Sequence, residues 1–333
     1  MTTDTLATVA EILGIDGPLA TALNPQTQAV LDALADAGAR PFEEMSVPEA
    51  RDAAAGFLGL QGDQEPVATV SDIQIPGADG KLPARVYNPS GNADLPVIVY
   101  FHGGGWVFGN LEVVDRPCRL LARQTQCIVV AVSYRLSPET RFPGAPEDCF
   151  SAVTWVAENA AELGADATQL VVAGDSAGGN LAASVCLMAN DRGGPHISYQ
   201  VLFYPVTAPP AKLGSYADFR EGYLLTQAGM NWFWDHYIQS AADSLNPYAA
   251  PLLAESVAEL PPATIVTAGF DPLRDEGLAY AGRLHEAGVP VRVHHYSDMA
   301  HGFFWMPGAI DAGRQVTERI SDDLTQHFSS NTN

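Results

Sequence analysis

The sequence predicts an α/β fold: a mostly parallel eight-stranded sheet flanked by helices, with a helical cap. Short apolar runs alternate with helix-period segments along most of the chain, the signature of a parallel sheet covered on both faces. Two stretches, 1–50 and 205–240, fall outside that alternation and supply the cap. Hydrophobic residues make up 47% of the chain and charged ones 17%, enough to bury a large core and too apolar for disorder. A length of 333 residues suits about two domains, or one large domain with an addition.

Each element has its own justification. Residues 1–50 read as largely helical: Val30, Ala33, Leu34 and Ala37 recur at three- and four-residue spacing, and Pro48 punctuates the end. Segments 67–75 and 82–87 alternate as strands around the turn Gly77-Ala78-Asp79-Gly80, which predicts an antiparallel pair. A continuous apolar strand, 97–101, ends at His102. A helix at 114–124, a buried strand at 127–134 and a helix at 147–163 follow. Then come a short strand at 170–173, a helix at 181–190 and a strand at 199–204. Segment 205–221 carries three prolines and no period, and an aromatic helix at 226–238 succeeds it. Alternation resumes with a strand at 264–268, a helix at 273–287, a strand at 291–296 and a helix at 310–328. The chain thus divides into a discontinuous cap, 1–50 and 205–240, and an α/β body, 51–204 and 241–333.

Seventeen Lys and Arg against 39 Asp and Glu give a net charge of −22. Nucleic-acid and anionic-membrane binding need clustered positive charge, so neither is expected. Lys81 and Lys212 are the only lysines and each precedes Leu, which excludes a Gly-Lys-Ser/Thr phosphate loop. The first basic residue is Arg40, too late for the positive start of a secretory signal, and no run of 18 apolar residues exists. A cytoplasmic protein is the expectation. Cys118, Cys127, Cys149 and Cys186 form no CxxC pair and read as buried reduced thiols. No HExxH is present, since Val289 stands where the second histidine belongs. Neither a metal nor an organic cofactor is expected.

Three separate placements point to nucleophilic chemistry. Strand 170–173 runs into Gly174-Asp175-Ser176-Ala177-Gly178-Gly179-Asn180 and then a helix, the strand–turn–helix context that G-x-S-x-G requires. Small neighbours permit a tight turn that exposes the Ser176 hydroxyl. Strand 97–101 ends in His102-Gly103-Gly104-Gly105-Trp106, where backbone amides of Gly103, Gly104 and Gly105 can approach a ligand. Together with the Ala177 amide they would bind an oxyanion. A nucleotide loop fits less well, because the third glycine is displaced to Gly109 and the strand is not the first. His102 reads as a loop brace.

In such sites the chain order is serine, acid, histidine. Asp271 lies just past strand 264–268, and His301 in the loop after strand 291–296. His301 would take the serine proton and Asp271 would hold the imidazole. Asp275 and Asp298 are nearby acids; His294 and His295 lie within the strand.

The combination of His102–Trp106 with Gly174–Asn180 resembles the hormone-sensitive-lipase-like esterases, the bacterial branch of the α/β-hydrolase superfamily. Tyr134-Arg135-Leu136-Ser137-Pro138-Glu139, Glu221-Gly222-Tyr223-Leu224-Leu225-Thr226, Asp271–Gly277 and His301-Gly302-Phe303 add to the likeness, which covers about residues 65–325. Ser137 departs from the Ala common there. The resemblance implies a serine carboxylesterase for short- to medium-chain acyl esters, working through an acyl-enzyme. It favours Gly104 and Gly105 among the glycines and implies a cap over an acyl and alcohol pocket. Trp106, Tyr204, Tyr223 and Leu224 are the expected pocket walls. The run Trp232–Tyr237 is either a further wall or cap core, and the Tyr134–Glu139 segment a brace. Relatives often pair through the edge of the last strand, here 291–296, so the resemblance offers a homodimer through that edge and leaves the oligomeric state open. Two alternatives share the scaffold: a small-ligand receptor, which would lack the histidine, and a hydrolase of amides, lactones or carbamates.

Overall fold

A computed structural model describes residues 3–210 and 214–330; residues 211–213, including Lys212, lie outside them. Eight strands form one sheet: β1 (Thr69–Gly77), β2 (Gly80–Asn88), β3 (Leu95–Phe101), β4 (Ile128–Val132), β5 (Ala165–Asp175), β6 (Tyr199–Phe203), β7 (Ala263–Phe270) and β8 (Val291–Ala300). Their order is β1-β2-β4-β3-β5-β6-β7-β8. β2 is antiparallel to both β1 and β4, and every other pairing is parallel. β1 and β2 meet across a two-residue turn, so antiparallel pairing is the only geometry open to them.

The order moves one way from β3 to β4 and the other way from β4 through β5 to β8. Right-handed crossovers then put the helix Asp115–Thr125 on one face and the later helices on the other. The last helix, Asp311–Ser330, returns to pack beside Asp115–Thr125. Coverage on both faces is why 97–101 and β4 are apolar at every position and fully buried. β8 forms one edge of the sheet and is half-buried over most of its length, which explains its Arg292 and His294. β5 is longer than its apolar core, because Ala165 and Asp166 pair with Leu95 and Pro96 before a register shift that skips Ala167–Gln169. All four cysteines are buried and unpaired. Among the described residues no helix is long and apolar enough to cross a membrane.

Helices Pro25–Asp36, Val47–Ala54 and Gln227–Tyr237 stand over the C-terminal ends of the central strands. Local chemistry starts each one. Asn24 caps the first with its side chain on the Gln26 N–H, and Pro25 takes a position that needs no amide donor. Ser46 and Glu49 form a reciprocal capping box on the second, and the Ser46 bonds hold Glu49 down to about 2. Thr226 caps the third.

Two expectations need correction. The boundary at residue 50 cuts through the helix Val47–Ala54. The helix Thr3–Ile12 packs on Arg274–Glu286, with Val9 against Gly282, and so belongs to the α/β body. A short helix, Gly214–Asp218, sits in the proline-rich segment where no period was legible. Arg51 ties the second cap helix down: it pairs with Glu139 at 2.6 Å and donates to the carbonyls of Val107 and Ser137. The Tyr134–Glu139 segment is thus a brace.

Candidate active site

The reversal of strand order opens a crevice at the C-terminal ends of β3 and β5. Ser176 sits there with φ 55 and ψ −118, outside the regions a side chain prefers. The fold imposes this: the Ser176 N–H is held by the Phe203 carbonyl at 2.8 Å, and Ala177 starts a helix immediately after. Strand and helix cross so closely that a Cβ on Gly178 would lie 1.9 Å from the Phe101 carbonyl oxygen. That crossing is the physical reason for small residues around the serine.

The loops after β7 and β8 bring two further groups to the hydroxyl. His301 Nε2 lies 2.9 Å from Ser176 Oγ, and His301 Nδ1 lies 2.7 Å from Asp271 Oδ2. Asp271 is fully buried, and its other oxygen accepts the Leu273 N–H at 2.8 Å. A carboxylate at Nδ1 fixes the proton there and leaves Nε2 free to accept from the hydroxyl. The rival acids are engaged elsewhere, Asp275 with Arg274 and Asp298 with Asn24. His294 bonds Asp323, and His295 bonds the Leu19 carbonyl.

The glycine loop is sorted by its hydrogen bonds. Gly103 donates its N–H to Asp175 Oδ1 at 2.9 Å and so has no amide to offer a ligand, which corrects its assignment to the oxyanion group. The N–H groups of Gly104, Gly105 and Ala177 make no hydrogen bond within the described chain. Gly104 adopts φ +105, and a Cβ there would meet the Phe108 carbonyl oxygen at 2.4 Å, so only glycine fits. His102 bonds the Gly103 carbonyl at 2.8 Å and stacks on Tyr134. Burial pushes its pKa down to about 4, so it is a neutral brace.

Above the serine is an apolar cavity of about 170 Å³. Leu34, Phe42, Met45 and Phe57 wall it from the N-terminal segment, and Phe108, Leu224, Leu225, Phe233 and Trp305 from the rest. Of the expected walls only Leu224 lines it. Trp106 turns inward at φ 60 and stacks on Tyr237 with ring centroids 3.9 Å apart. Tyr204 is buried against the side of the His301 ring, and Tyr223 packs on Phe219 and Phe270. The aromatic run divides: Phe233 faces the cavity, while Trp234 and Tyr237 enclose Trp106. Phe42, Met45 and Phe57 lie in or beside short 3-10 turns, where no periodicity could have marked them.

A second buried acid lies behind the site. Glu276 takes the Thr207 and Ala208 amides on one oxygen, and burial pushes its pKa up to about 8. Its ordinary value is 4.5. The folded protein therefore holds a proton that the unfolded chain releases, and its stabilising contribution is lost as pH rises from 4.5 to 8. Glu276→Gln keeps the accepting oxygen and removes the titration. Urea unfolding at pH 5 and pH 8 is expected to show the variant gaining on the parent at pH 8, by up to about 1.4 kcal/mol per pH unit crossed. An equal pH dependence in both would overturn this.

The family model for the alpha/beta hydrolase fold matches residues 98–305. The chain is 43% identical over 269 residues to the carboxylic ester hydrolase LipN of Mycobacterium tuberculosis, covering 78% of this chain and 71% of the relative. It is 35% identical over 303 residues to an ethyl acetate hydrolase of Pseudomonas putida, covering 88% and 91% respectively. Among solved structures, a hyperthermophilic esterase from the archaeon Pyrobaculum calidifontis superposes with a TM-score of 0.87 at 40% identity, over 92% of this chain and 99% of that one. The chain belongs to the α/β-hydrolase superfamily, in its hormone-sensitive-lipase-like branch of carboxylic ester hydrolases.

Proposed function

We propose that the protein hydrolyses short- to medium-chain acyl esters in two steps through an acyl-enzyme on Ser176. The observation that carries this is the relay Ser176–His301–Asp271 on the floor of an apolar cavity. Ser176 Oγ attacks the ester carbonyl while His301 Nε2 takes its proton. The amides of Gly104, Gly105 and Ala177 receive the negative charge on the carbonyl oxygen. His301 returns the proton to the leaving alkoxide, and the alcohol departs. Water, deprotonated by His301, then attacks the acyl carbon and releases the acid and Ser176. Asp271 holds the proton on Nδ1 and stabilises the imidazolium. The presence of His301 speaks against the receptor alternative.

The small apolar cavity supports short acyl chains, as does the ethyl acetate named in the Pseudomonas putida relative. Its limit is a wall. Leu34, Ala39, Arg40, Pro41 and Leu224 line both this cavity and an outer groove of about 610 Å³. Leu224→Ala is expected to open the wall between the two spaces. The ratio of kcat/KM for the eight-carbon over the four-carbon p-nitrophenyl ester is expected to rise about tenfold in that variant. An unchanged chain-length profile would remove the wall from the account of specificity.

A further inference from the structure

We propose that Asp175 is a positioning residue that locks the glycine loop to the nucleophile turn and thereby aims the amides that receive the oxyanion. The inference rests on the oxyanion reading given above. Asp175 directly precedes Ser176, yet its side chain turns to the neighbouring loop. It is buried, and its Oδ1 accepts both the Gly103 N–H at 2.9 Å and the hydroxyl of Tyr100. Tyr100 lies near the end of β3 and Gly103 just beyond it, so one carboxylate grips the segment on both sides of His102. The fit is close: a Cβ on Gly103 would lie 2.2 Å from Asp175 Oδ2 and 3.0 Å from the Asp175 carbonyl oxygen.

The peptide plane carries this grip forward. The Gly103 carbonyl and the Gly104 N–H belong to one rigid plane and point in opposite directions. His102 holds that carbonyl at 2.8 Å while Asp175 holds the amide before it. With both ends of Gly103 fixed, the direction of the Gly104 N–H is set before substrate arrives. A charge-assisted bond suits the task, being shorter and stronger than a neutral one. Loss of the acceptor would leave a buried N–H unpaired and the loop free to turn away.

The test separates positioning from folding. Asp175→Asn keeps the volume and one accepting oxygen, and Asp175→Ala removes both. Competent serines are first counted by stoichiometric fluorophosphonate titration. Per titrated serine, kcat on p-nitrophenyl butyrate is expected to fall about 100-fold in Asp175→Ala and about tenfold in Asp175→Asn, with KM within threefold. The Ki of a trifluoromethyl ketone, whose adduct places an oxyanion on the same amides, should rise by the same factors. Asp175→Asn alone decides the matter if the alanine variant does not fold. A kcat per serine within threefold of the parent, or a fall in kcat without a matching rise in Ki, overturns the inference. Ser176→Ala run alongside keeps the readings distinct: hydrolysis by that variant would instead sink the nucleophile assignment.

Discussion

Ser176→Ala is expected to lower kcat for p-nitrophenyl acyl esters by about 10⁴-fold or more and to abolish labelling by a fluorophosphonate. The substitution removes one oxygen, the atom 2.9 Å from His301 Nε2. Without it no acyl-enzyme forms, and what remains is binding and the amides acting on water. The fold should survive. Alanine carries the same Cβ at φ 55 as serine does, and the Ser176 backbone bonds to Phe203 and Asn180 are untouched. A melting temperature within a few degrees of the parent would establish that. Equal product release by the variant and the parent would exclude Ser176 as the nucleophile.

Asp271→Asn is expected to cost about 10³- to 10⁴-fold in kcat through the imidazole proton alone. The orientation of the new amide is dictated by the backbone. The Leu273 N–H needs an acceptor on one side of the side chain, so the carboxamide oxygen must stay there. Its NH₂ group then faces His301 Nδ1 and requires that nitrogen to accept. The ring proton moves to Nε2, the nitrogen that must take the serine proton, and general-base catalysis stops. Fluorophosphonate labelling should slow in step with kcat, because it uses the same activated hydroxyl. A loss of less than tenfold would mean that Asp271 is not the partner that sets the tautomer.

How much of this was legible in the sequence depends on the physical signal each residue carries. The sheet was legible because strands covered on both faces have nowhere to place a polar side chain, as 97–101 shows. The three groups of the relay were legible because each ends a strand and the sheet brings strand ends together. The glycine loop was only half legible. Three identical residues in a row carry no mark of which amide is already taken, and only the position of Asp175 reveals that Gly103 is occupied. The pocket was the least legible part. Trp106 follows the loop in sequence, but its positive φ turns it into the core, a torsion that a tryptophan does not announce. The true walls, Phe42, Met45 and Phe57, lie in irregular turns whose placement is set by what they pack against.

The N-terminal walls are fastened at both ends to the stretch that carries His301. At one end, Thr21 and Asn24 donate their N–H groups to the carbonyls of Ser297 and Asp298; at the other, the Gly308 N–H bonds the Leu60 carbonyl. These three bonds are backbone to backbone and therefore indifferent to side-chain identity, while the side chains of Thr21, Asn24 and Thr27 add bonds to Ser297, Asp298 and Met299. The backbone bonds do not depend on which side chains line the cavity between them. The cavity walls and the loop that carries the imidazole are thereby anchored to each other partly by groups that every residue but proline possesses, so a change of side chain in a wall leaves those anchors in place.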